Sequence, residues 1–326
     1  MLSIAARNVN QAYVEGLWKM KILGVEADSR NGKVRRIPGP VATKYYKPTE
    51  RMLLNPKRDA NPFFHIFEGV WMLAGRNDVE FVKRFNSNIG QYSDDEKTLA
   101  GAYGYRWRHY FGEDQLKWLV NHLASEPNSR RAVLQMFDPL ADQPPVGTVP
   151  KDIPCNTAAY FDIVDGEVNM TVTCRSNDMI WGAYGANAVH MSMLQEFVAG
   201  ALALDVGFYV QFSNNFHIYE KHFHLLDDPP SEESAWLTTQ VPAVAHIPIV
   251  ARPDKWEHEL FELASWCNGD SVAPTPYIEY VLDPMLQAWE AYKRKDKNGA
   301  IALCYEIKDL EVARACMEWL GRRKWE

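Results

Sequence analysis

The chain has 326 residues, 47% of them hydrophobic, and a formal net charge of -7 at pH 7. The apolar content excludes an intrinsically disordered chain, and the negative charge excludes a general polyanion-binding protein. A chain of this length favours one large domain with an appendage.

The first half of the chain is predicted to alternate helices with irregular segments. Apolar residues recur at helical spacing over residues 3–24, which predicts an amphipathic helix. Residues 28–62 are rich in Pro, Gly, Lys and Arg, and they predict loops with short strands. The stretch PFFHIFEGVWMLAG at 62–75 predicts an apolar helix that ends at Gly75. The polar residues 85–101 predict a loop.

The second half is predicted to contain strands first and helices last. A turn signal, VDGE, divides one strand-like run into a hairpin. The predicted segments are strands at 130–138, 158–176 and 205–219, a buried helix at 186–204, a polar break at 229–234, and two amphipathic helices at 276–295 and 297–321. We therefore expect a main domain over residues 1–269 and a helical appendage over residues 270–326.

The cysteines argue against a disulfide framework and against a zinc ribbon, because their number is odd and no two have C-x-x-C spacing. They are Cys155, Cys174, Cys267, Cys304 and Cys316. We expect no metal. The N-terminus lacks the pattern of a signal peptide, and no stretch reaches 18 uninterrupted apolar residues. These features favour the reducing cytoplasm of a cell, or of a host if the chain is phage-encoded.

The segment KDIPCN places Cys155 between a proline and an asparagine. Free cysteine is among the residues most often buried, so Cys155 is either a small core residue or a nucleophile. A nucleophilic cysteine needs a lowered pKa, which a nearby cation usually provides. The candidate cations are Arg30, Arg130, Arg131 and Arg175. Their guanidinium groups suit phosphate oxygens, and they suit ordinary surface ion pairs as well.

Three further polar residues each allow two interpretations. Glu68 stands in an apolar helix, where it either pairs with a base or handles protons with a raised pKa. His217 and Tyr219 are two residues apart in a predicted strand, so they point to the same face. They either grip a sugar hydroxyl or belong to the core.

The order of these residues along the chain resembles the thymidylate synthase family. The resemblance covers residues 28–225 and depends on a set of motifs that occur in the family order. The motifs are SRNG, FEGVWMLAG, GAYGYRWR, SRRAVLQMFDP, IPCN, CRSNDMIWGAYGAN and NNFHIY.

The resemblance implies an α/β (α+β) fold, with a mainly antiparallel sheet packed back to back in a homodimer and helices on the other face. It also implies an enzyme that transfers a one-carbon unit from 5,10-methylenetetrahydrofolate to C5 of a pyrimidine nucleoside 5'-monophosphate. In that reaction Cys155 attacks C6 of the base, which makes C5 nucleophilic toward the folate methylene.

The resemblance also implies a role for each site residue. Glu68 and Tyr103 would handle protons, and Asn187 would recognise the base. The phosphate would be bound by Arg30, Arg175 and Ser176, with further contacts from Arg130 and Arg131 of the partner subunit. His217 and Tyr219 would bind the sugar 3'-hydroxyl, and Asp178 and Trp71 would bind the folate.

The chain departs from thymidylate synthases at places that bear on the product. Asn156 follows the cysteine where those enzymes usually have His, and RFNSNIGQYSDDEK replaces the tryptophan-bearing folate segment. The short apolar C-terminal tail of the family is not visible. The loop before Asn187 is one residue longer, so either Asn187 or Ala186 occupies the base-reading position. An asparagine amide there serves uracil or, when flipped, cytosine.

These departures favour a C5-hydroxymethylase of deoxycytidylate or deoxyuridylate. One alternative is reductive methylation by a dCMP methyltransferase or a thymidylate synthase. Another is a non-catalytic nucleotide-binding or regulatory protein. A nucleoside monophosphate and a second copy of the chain are the expected partners, and neither a membrane nor a nucleic acid is expected.

Overall fold

The structure is a computed structural model that describes residues 1–145, 147–148, 150–231 and 246–325. In that part of the chain, strands form a six-stranded and a four-stranded sheet. The strands are β1 Leu2–Ala6, β2 Val25–Ser29, β3 Gly32–Arg36, β4 Val41–Tyr45, β5 Val133–Gln135, β6 Asn156–Val164, β7 Glu167–Cys174, β8 Asn177–Asp178, β9 Asp205–Ser213 and β10 Phe216–Tyr219.

Helices surround these sheets. The α-helices are α1 Val9–Leu23, α2 Pro62–Leu73, α3 Val79–Lys83, α4 Tyr103–Tyr105, α5 Gln115–Ser125, α6 Asn187–Ala201, α7 His224–Asp227, α8 Trp256–Asn268, α9 Asp283–Lys293, α10 Lys297–Cys304 and α11 Leu310–Gly321. Wider π-helical turns span Arg106–Tyr110, Met179–Ala186 and Ile278–Leu282, and 3-10 turns span Ile89–Tyr92, Glu220–His222 and Pro253–Lys255.

The larger sheet has the strand order β1-β4-β9-β7-β6-β5, and the smaller has the order β2-β3-β10-β8. The pairs β1/β4, β7/β9 and β8/β10 are parallel, and the other neighbouring pairs are antiparallel. This mixed but mainly antiparallel arrangement confirms the predicted α/β fold. The back-to-back packing of a dimer stays a prediction.

The apolar helices predicted at 62–75 and 186–204 are α2 and α6, which pack against each other, and α6 also lies on β7 and β9. The Asn61 side chain caps α2 by accepting a hydrogen bond from the Phe64 N–H at 3.2 Å. Gly75 follows the helix with a φ of +76°, a conformation that favours glycine. The two helices bury Glu68 and Asn187 beneath the sheet.

The VDGE hairpin and the strands at 205–219 are confirmed. Asp165 and Gly166 join β6 to β7, and both have positive φ, as this kind of tight turn requires. The strand predicted at 130–138 is shorter, since only Val133–Gln135 pairs with β6. The predicted loop at 85–101 contains one 3-10 turn. The polar break at 229–234 extends past residue 231, outside the described residues.

The predicted helix at 3–24 is wrong at its start. Leu2–Ala6 forms β1, which pairs in parallel with β4, and the helix begins only after Asn8. The Asn8 side chain accepts hydrogen bonds from the N–H groups of Asn10 and Gln11, which fixes the start of α1. The alternating apolar residues before Asn8 fit a strand as well as a helix, and pairing with β4 decides between them.

The predicted helix at 297–321 is also wrong, because it is two helices. Here α10 ends at Cys304, and α11 begins after Asp309, whose side chain accepts a hydrogen bond from Val312 N–H at 3.2 Å. A further helix, α8, was not predicted, and its first turn carries Glu257 and Glu259.

A mostly buried group of ionisable side chains, with His246 partly exposed, joins the C-terminal helices to the rest of the molecule. We call it the ion cluster, and its members are Arg51, Glu196, His246, Asp309 and Glu311. Arg51 pairs with Glu196, and His246 bridges Glu196 at 2.9 Å and Asp309 at 2.8 Å. The predicted domain boundary at residue 269 stays a prediction. None of the described helices is both long and apolar enough to cross a membrane.

Candidate active site

Cys155 lies immediately before β6, and Tyr103 holds its main chain. The Tyr103 hydroxyl accepts hydrogen bonds from the N–H groups of Cys155 at 3.2 Å and Asn156 at 3.1 Å. Gly104 lets α4 approach α2 closely, since a Cβ at this position would overlap the carbonyl oxygen of Met72. The Tyr-Gly pair in the GAYGYRWR motif therefore brings a phenol against the peptide that carries the thiol.

Arg175 binds the same peptide from the other side. Its Nε donates to the carbonyl oxygen of Pro154 at 2.8 Å, and its Nη2 donates to that of Ile153 at 2.9 Å. The same Nη2 lies 3.9 Å from Cys155 Sγ. Burial raises the pKa of the Cys155 thiol, and Arg175, with a smaller effect from Arg30, only partly opposes this. The thiol is therefore less acidic than the nearby arginines alone would make it.

Glu68 on α2 faces His190 on α6. Glu68 Oε2 and His190 Nε2 are 3.2 Å apart, and both side chains are buried. Burial raises the pKa of Glu68 to about 8, with a smaller contribution from Asp152. Burial also lowers the pKa of His190 to about 3, although a hydrogen bond with the His65 main chain opposes this. At neutral pH the carboxyl group therefore holds a proton beside a neutral imidazole.

Four carboxamides lie in a row below Cys155, and we call this row the amide chain. Its members are Asn156, Asn187, Asn177 and Gln211. Asn156 Nδ2 donates to Asn187 Oδ1 at 2.9 Å, and Asn187 Nδ2 donates to Asn177 Oδ1 at 3.2 Å. Asn177 Nδ2 then donates to Gln211 Oε1 at 2.7 Å. All four side chains are buried.

The smaller sheet places Asp178 beside the predicted sugar-binding pair. Asp178 on β8 is the strand partner of His217 on β10. The rings of His217 and Tyr219 are 5.1 Å apart, so these side chains share one face as predicted. The Asp178 side chain accepts a hydrogen bond from Ile180 N–H at 2.9 Å and so caps the π-helical turn that follows.

The surface near Asp178 has the chemistry that a pterin requires. Trp181 is 42% exposed, and its ring lies 5.8 Å from that of Phe64. A carboxylate accepts hydrogen bonds from heterocycle N–H groups, and an exposed indole offers a flat apolar face. Asp178 and Trp181 therefore fit a folate, and the buried Phe64 supports the Trp181 ring from within the core; Trp181 was not among the predicted folate residues.

Trp71, by contrast, lies in the core. It is 1% exposed, and its Nε1 donates to Asp78 Oδ1 at 3.3 Å. In this structure the indole N–H is thus occupied within the protein. The predicted contact between Trp71 and a folate stays a prediction.

The predicted phosphate residues fall into two groups. Arg30, Arg175 and Ser176 lie near Cys155, and Arg30 Nη1 contacts the Pro150 carbonyl oxygen at 3.4 Å. Arg130 and Arg131 instead precede β5, whose Val133 pairs with Tyr160 of β6. With a rise of about 3.3 Å per residue, these arginines lie roughly 20 Å along the sheet from Cys155. Within one chain they do not reach the thiol.

The structure therefore brings most of the predicted residues together and adds two that the sequence interpretation missed. His190 contacts Glu68, and Asn177 contacts Asn187. His190 follows Asn187 by three residues, so the two share one face of α6, and this helical spacing is the signal that could have revealed it. No comparable signal marks Asn177, because its partners lie on α6 and β9, which are distant in sequence.

The arrangement provides a half-buried thiol, a cation at that thiol, a protonated carboxyl group with a neutral base, and amides that can read a ring edge. This set suits nucleophilic addition to an electron-poor heterocycle followed by proton transfer. In the described residues no group of three or more side chains is arranged to hold a metal ion.

Comparison with known proteins agrees with this arrangement. The model of the family described as thymidylate synthase matches residues 23–243. The chain is 43% identical to the deoxyuridylate hydroxymethyltransferase of Pseudomonas phage M6, over 99% of this chain and 95% of that protein. It is 32% identical to the protein of the same name from Bacillus phage SP01, over 67% of this chain and 59% of that protein. A putative thymidylate synthase of Methanothermobacter thermautotrophicus is 29% identical over 60% of this chain and 83% of that protein.

Proposed function

The chain belongs to the thymidylate synthase family, and we propose that it converts deoxyuridine 5'-monophosphate (dUMP) to its 5-hydroxymethyl derivative with 5,10-methylenetetrahydrofolate. It is an enzyme that transfers a one-carbon unit to a pyrimidine, which excludes the alternative of a non-catalytic nucleotide-binding protein. The observation that carries the choice of dUMP and of the hydroxymethyl product is the 43% identity, over nearly the whole chain, to a relative with that activity in its name.

In this proposal Cys155 is the nucleophile. Its thiolate adds to C6 of the base, and the electrons of the C5–C6 double bond move toward C4 and O4. Arg175 supplies the positive charge that stabilises the thiolate, since its Nη2 is 3.9 Å from the sulfur. Tyr103 fixes the position of the attacking residue through the N–H groups of Cys155 and Asn156.

Glu68 and His190 handle the protons. Because the pKa of Glu68 is raised to about 8, its carboxyl group holds a proton that it can give to the base as charge develops at O4. His190 lies 3.2 Å away, and because its pKa is lowered to about 3 it stays neutral and leaves the proton on Glu68. After the C5 proton and tetrahydrofolate have left, water adds to the exocyclic carbon and Glu68 can take its proton. The C6–S bond then breaks and releases Cys155.

The remaining residues hold the ligands. The folate supplies the one-carbon unit, and Asp178 and Trp181 would bind its pterin. Asn187 reads the base edge, with Asn156 beside it. Arg30, Arg175 and Ser176 bind the phosphate, and His217 and Tyr219 bind the sugar hydroxyl. We expect this enzyme to act in the cytoplasm of a cell or an infected host.

A homodimer would complete the phosphate site. One face of β9 carries the half-buried residues Phe208, Val210 and Phe212, opposite the buried Tyr209 and Gln211. A second copy that covers this apolar face would carry its own arginines, Arg130 and Arg131, across the roughly 20 Å that separates them from the thiol in one chain.

Mixed dimers test this shared site. A Cys155→Ser subunit and an Arg130→Met/Arg131→Met subunit should each be nearly inactive alone. Together they should form heterodimers with one intact site and so regain part of the activity. No recovery, in a sample shown to contain heterodimers, would contradict the sharing of arginines.

The proposed activity is tested by two simultaneous measurements on dUMP labelled with tritium at C5. Wild-type enzyme should release tritium in the presence of the folate and should form no dihydrofolate, which absorbance reveals. Cys155→Ser should bind dUMP but release tritium at least roughly 10⁴-fold more slowly. Steady formation of dihydrofolate would show reductive methylation instead, and dCMP measured in parallel shows whether cytosine is a substrate.

A further inference from the structure

The amide chain has a single direction. The carboxamide nitrogens of Asn156, Asn187 and Asn177 each donate to the carboxamide oxygen of the next member, so the series runs from Asn156 through Asn187 and Asn177 to Gln211. Gln211 Nε2 ends the series by donating to the Tyr209 hydroxyl at 2.9 Å. Asn177 Nδ2 also donates to Ser213 Oγ at 2.9 Å, a side contact that lies outside the series.

This direction prevents any one amide in the series from flipping alone. A flipped Asn187 would set its oxygen against Asn177 Oδ1 and its nitrogen against Asn156 Nδ2, so two buried hydrogen bonds would be lost together. Buried polar groups that lose their partners are costly, and water does not reach these side chains, which are at most 6% exposed. The orientation of Asn187 is therefore tied to that of the residues behind it, and it can reverse only if the whole series reverses with it.

The orientation of Asn187 decides which base it can bind. Uracil presents a donor at N3 and an acceptor at C4, whereas cytosine presents an acceptor at N3 and a donor at C4. An asparagine amide matches one of these pairs in one orientation and the other pair in the flipped orientation. A site that cannot flip leaves the wrong base with unpaired polar groups, and such sites discriminate strongly.

We propose that the amide chain selects the pyrimidine base, with Asn177 and Gln211 as positioning residues that lock Asn187 in one orientation without touching the nucleotide. This inference rests on the proposed function and deepens it. It predicts that base choice is carried by β8 and β9 as much as by Asn187 itself. It also accounts for Asn156, which replaces the usual histidine and forms the first member of the series.

An unpaired buried atom favours the binding of a ligand at the Asn156 end of the series. Asn156 Oδ1 is buried and has no hydrogen-bond partner among the described residues. Asn156 is fully buried beside Cys155, so this oxygen is an acceptor in need of a donor. The series thus begins with an unpaired acceptor near the thiol and ends at a tyrosine hydroxyl in the sheet.

The test measures the ratio of kcat/KM for dUMP to kcat/KM for dCMP and compares this ratio between each variant and wild type. If one nucleotide gives no turnover, the inhibition constants of both nucleotides are compared instead. Asn177→Leu removes the acceptor of Asn187, and Gln211→Met removes the acceptor of Asn177. Each should lower the ratio by at least about tenfold, because Asn187 becomes free to serve either base. Ser213→Ala is the matched control, since it removes a buried partner of the same Asn177 nitrogen but leaves the series intact, and its ratio should stay within about threefold of wild type.

Each outcome has one meaning. An unchanged ratio in folded Asn177→Leu or Gln211→Met overturns the proposal, as does an equal loss with both nucleotides, which is what a merely structural role would give. Circular dichroism identifies folded variants; if Asn177→Leu does not fold, Gln211→Met decides, because it acts from a different strand. A failure of the hydroxymethylase proposal is distinguishable, because wild-type enzyme would then either release no tritium from dUMP or release it with steady formation of dihydrofolate.

Discussion

The two halves of α6 carry two different buried polar networks. At its N-terminal end Asn187 and His190 join neutral groups, namely the amide chain and the protonated Glu68. Two turns further on, Glu196 joins the charged ion cluster with Arg51 and His246. Neutral amides avoid most of the cost of burying charge and hold an orientation, whereas paired ions tie distant segments together. The base recognition that we propose and the anchoring of helices thus use different chemistry on one helix.

The largest expected effect comes from breaking the ion cluster. Arg51→Met leaves Glu196 as a buried carboxylate with one partner fewer, and loss of one member of a buried pair costs about 3–5 kcal/mol. Urea unfolding should show this loss in the free energy of unfolding. The dUMP to dCMP ratio of the folded fraction should not change, because the amide chain remains intact.

Arg7→Met is the control for this change. Arg7 pairs with Glu50 at the surface, where an ion pair contributes about 0–1 kcal/mol. If Arg51→Met is no less stable than Arg7→Met, the ion cluster does not anchor the C-terminal helices. If Arg51→Met alters base choice, the two halves of α6 are not independent.

The second-largest expected effect comes from the neutral groups around Cys155. Tyr103→Phe removes the acceptor shared by the N–H groups of Cys155 and Asn156, and a buried group left unpaired costs about 1–3 kcal/mol. We expect lower stability together with a lower kcat, because the peptide that carries the thiol loses its support. Tyr105→Phe is a nearby control on the same short helix. A fall in stability with unchanged kcat would remove Tyr103 from the positioning of Cys155.

The smallest effect is the pH dependence of the ion cluster. Burial alone would lower the pKa of His246, but Glu196 and Asp309 together raise it to about 10. A raised pKa means stability that is complete below about pH 6.5, the unfolded value, and that is lost as pH rises toward about 10. The free energy of unfolding should therefore decrease over this interval, and His246→Gln should flatten the decrease. An equal slope in both proteins would show that His246 is not the responsible group.

The sequence predicted what depends on local patterns and on family motifs. The helix around Glu68 has an apolar run, an asparagine cap and a terminal glycine, all of them adjacent in sequence. Cys155, Arg175 and the His217–Tyr219 pair were found through motifs. The structure places Tyr103 and Arg175 beside Cys155. The indole of Trp71 is instead in the core, and Arg130 and Arg131 lie away from the thiol. The roles of all these residues stay predictions.

The two networks could not be predicted, because their partners are far apart in sequence. Asn177 and Gln211 are 34 residues apart, and Arg51 and Glu196 are 145 apart. Only the pairing of strands and the packing of α6 bring these residues together, and no local pattern marks an asparagine as one member of a series. The strand at Leu2–Ala6 was missed for the same reason, since its partner β4 decides its structure.

The most direct test of the proposed reaction is the mass of the product formed from dUMP in water enriched in oxygen-18. A hydroxymethylase adds the oxygen of water to the new carbon, so the product should be 5-hydroxymethyl-dUMP carrying one heavy oxygen, with tetrahydrofolate released. Cys155→Ser should form none. A 5-methyl product without heavy oxygen would contradict the account and identify the enzyme as a thymidylate synthase in activity.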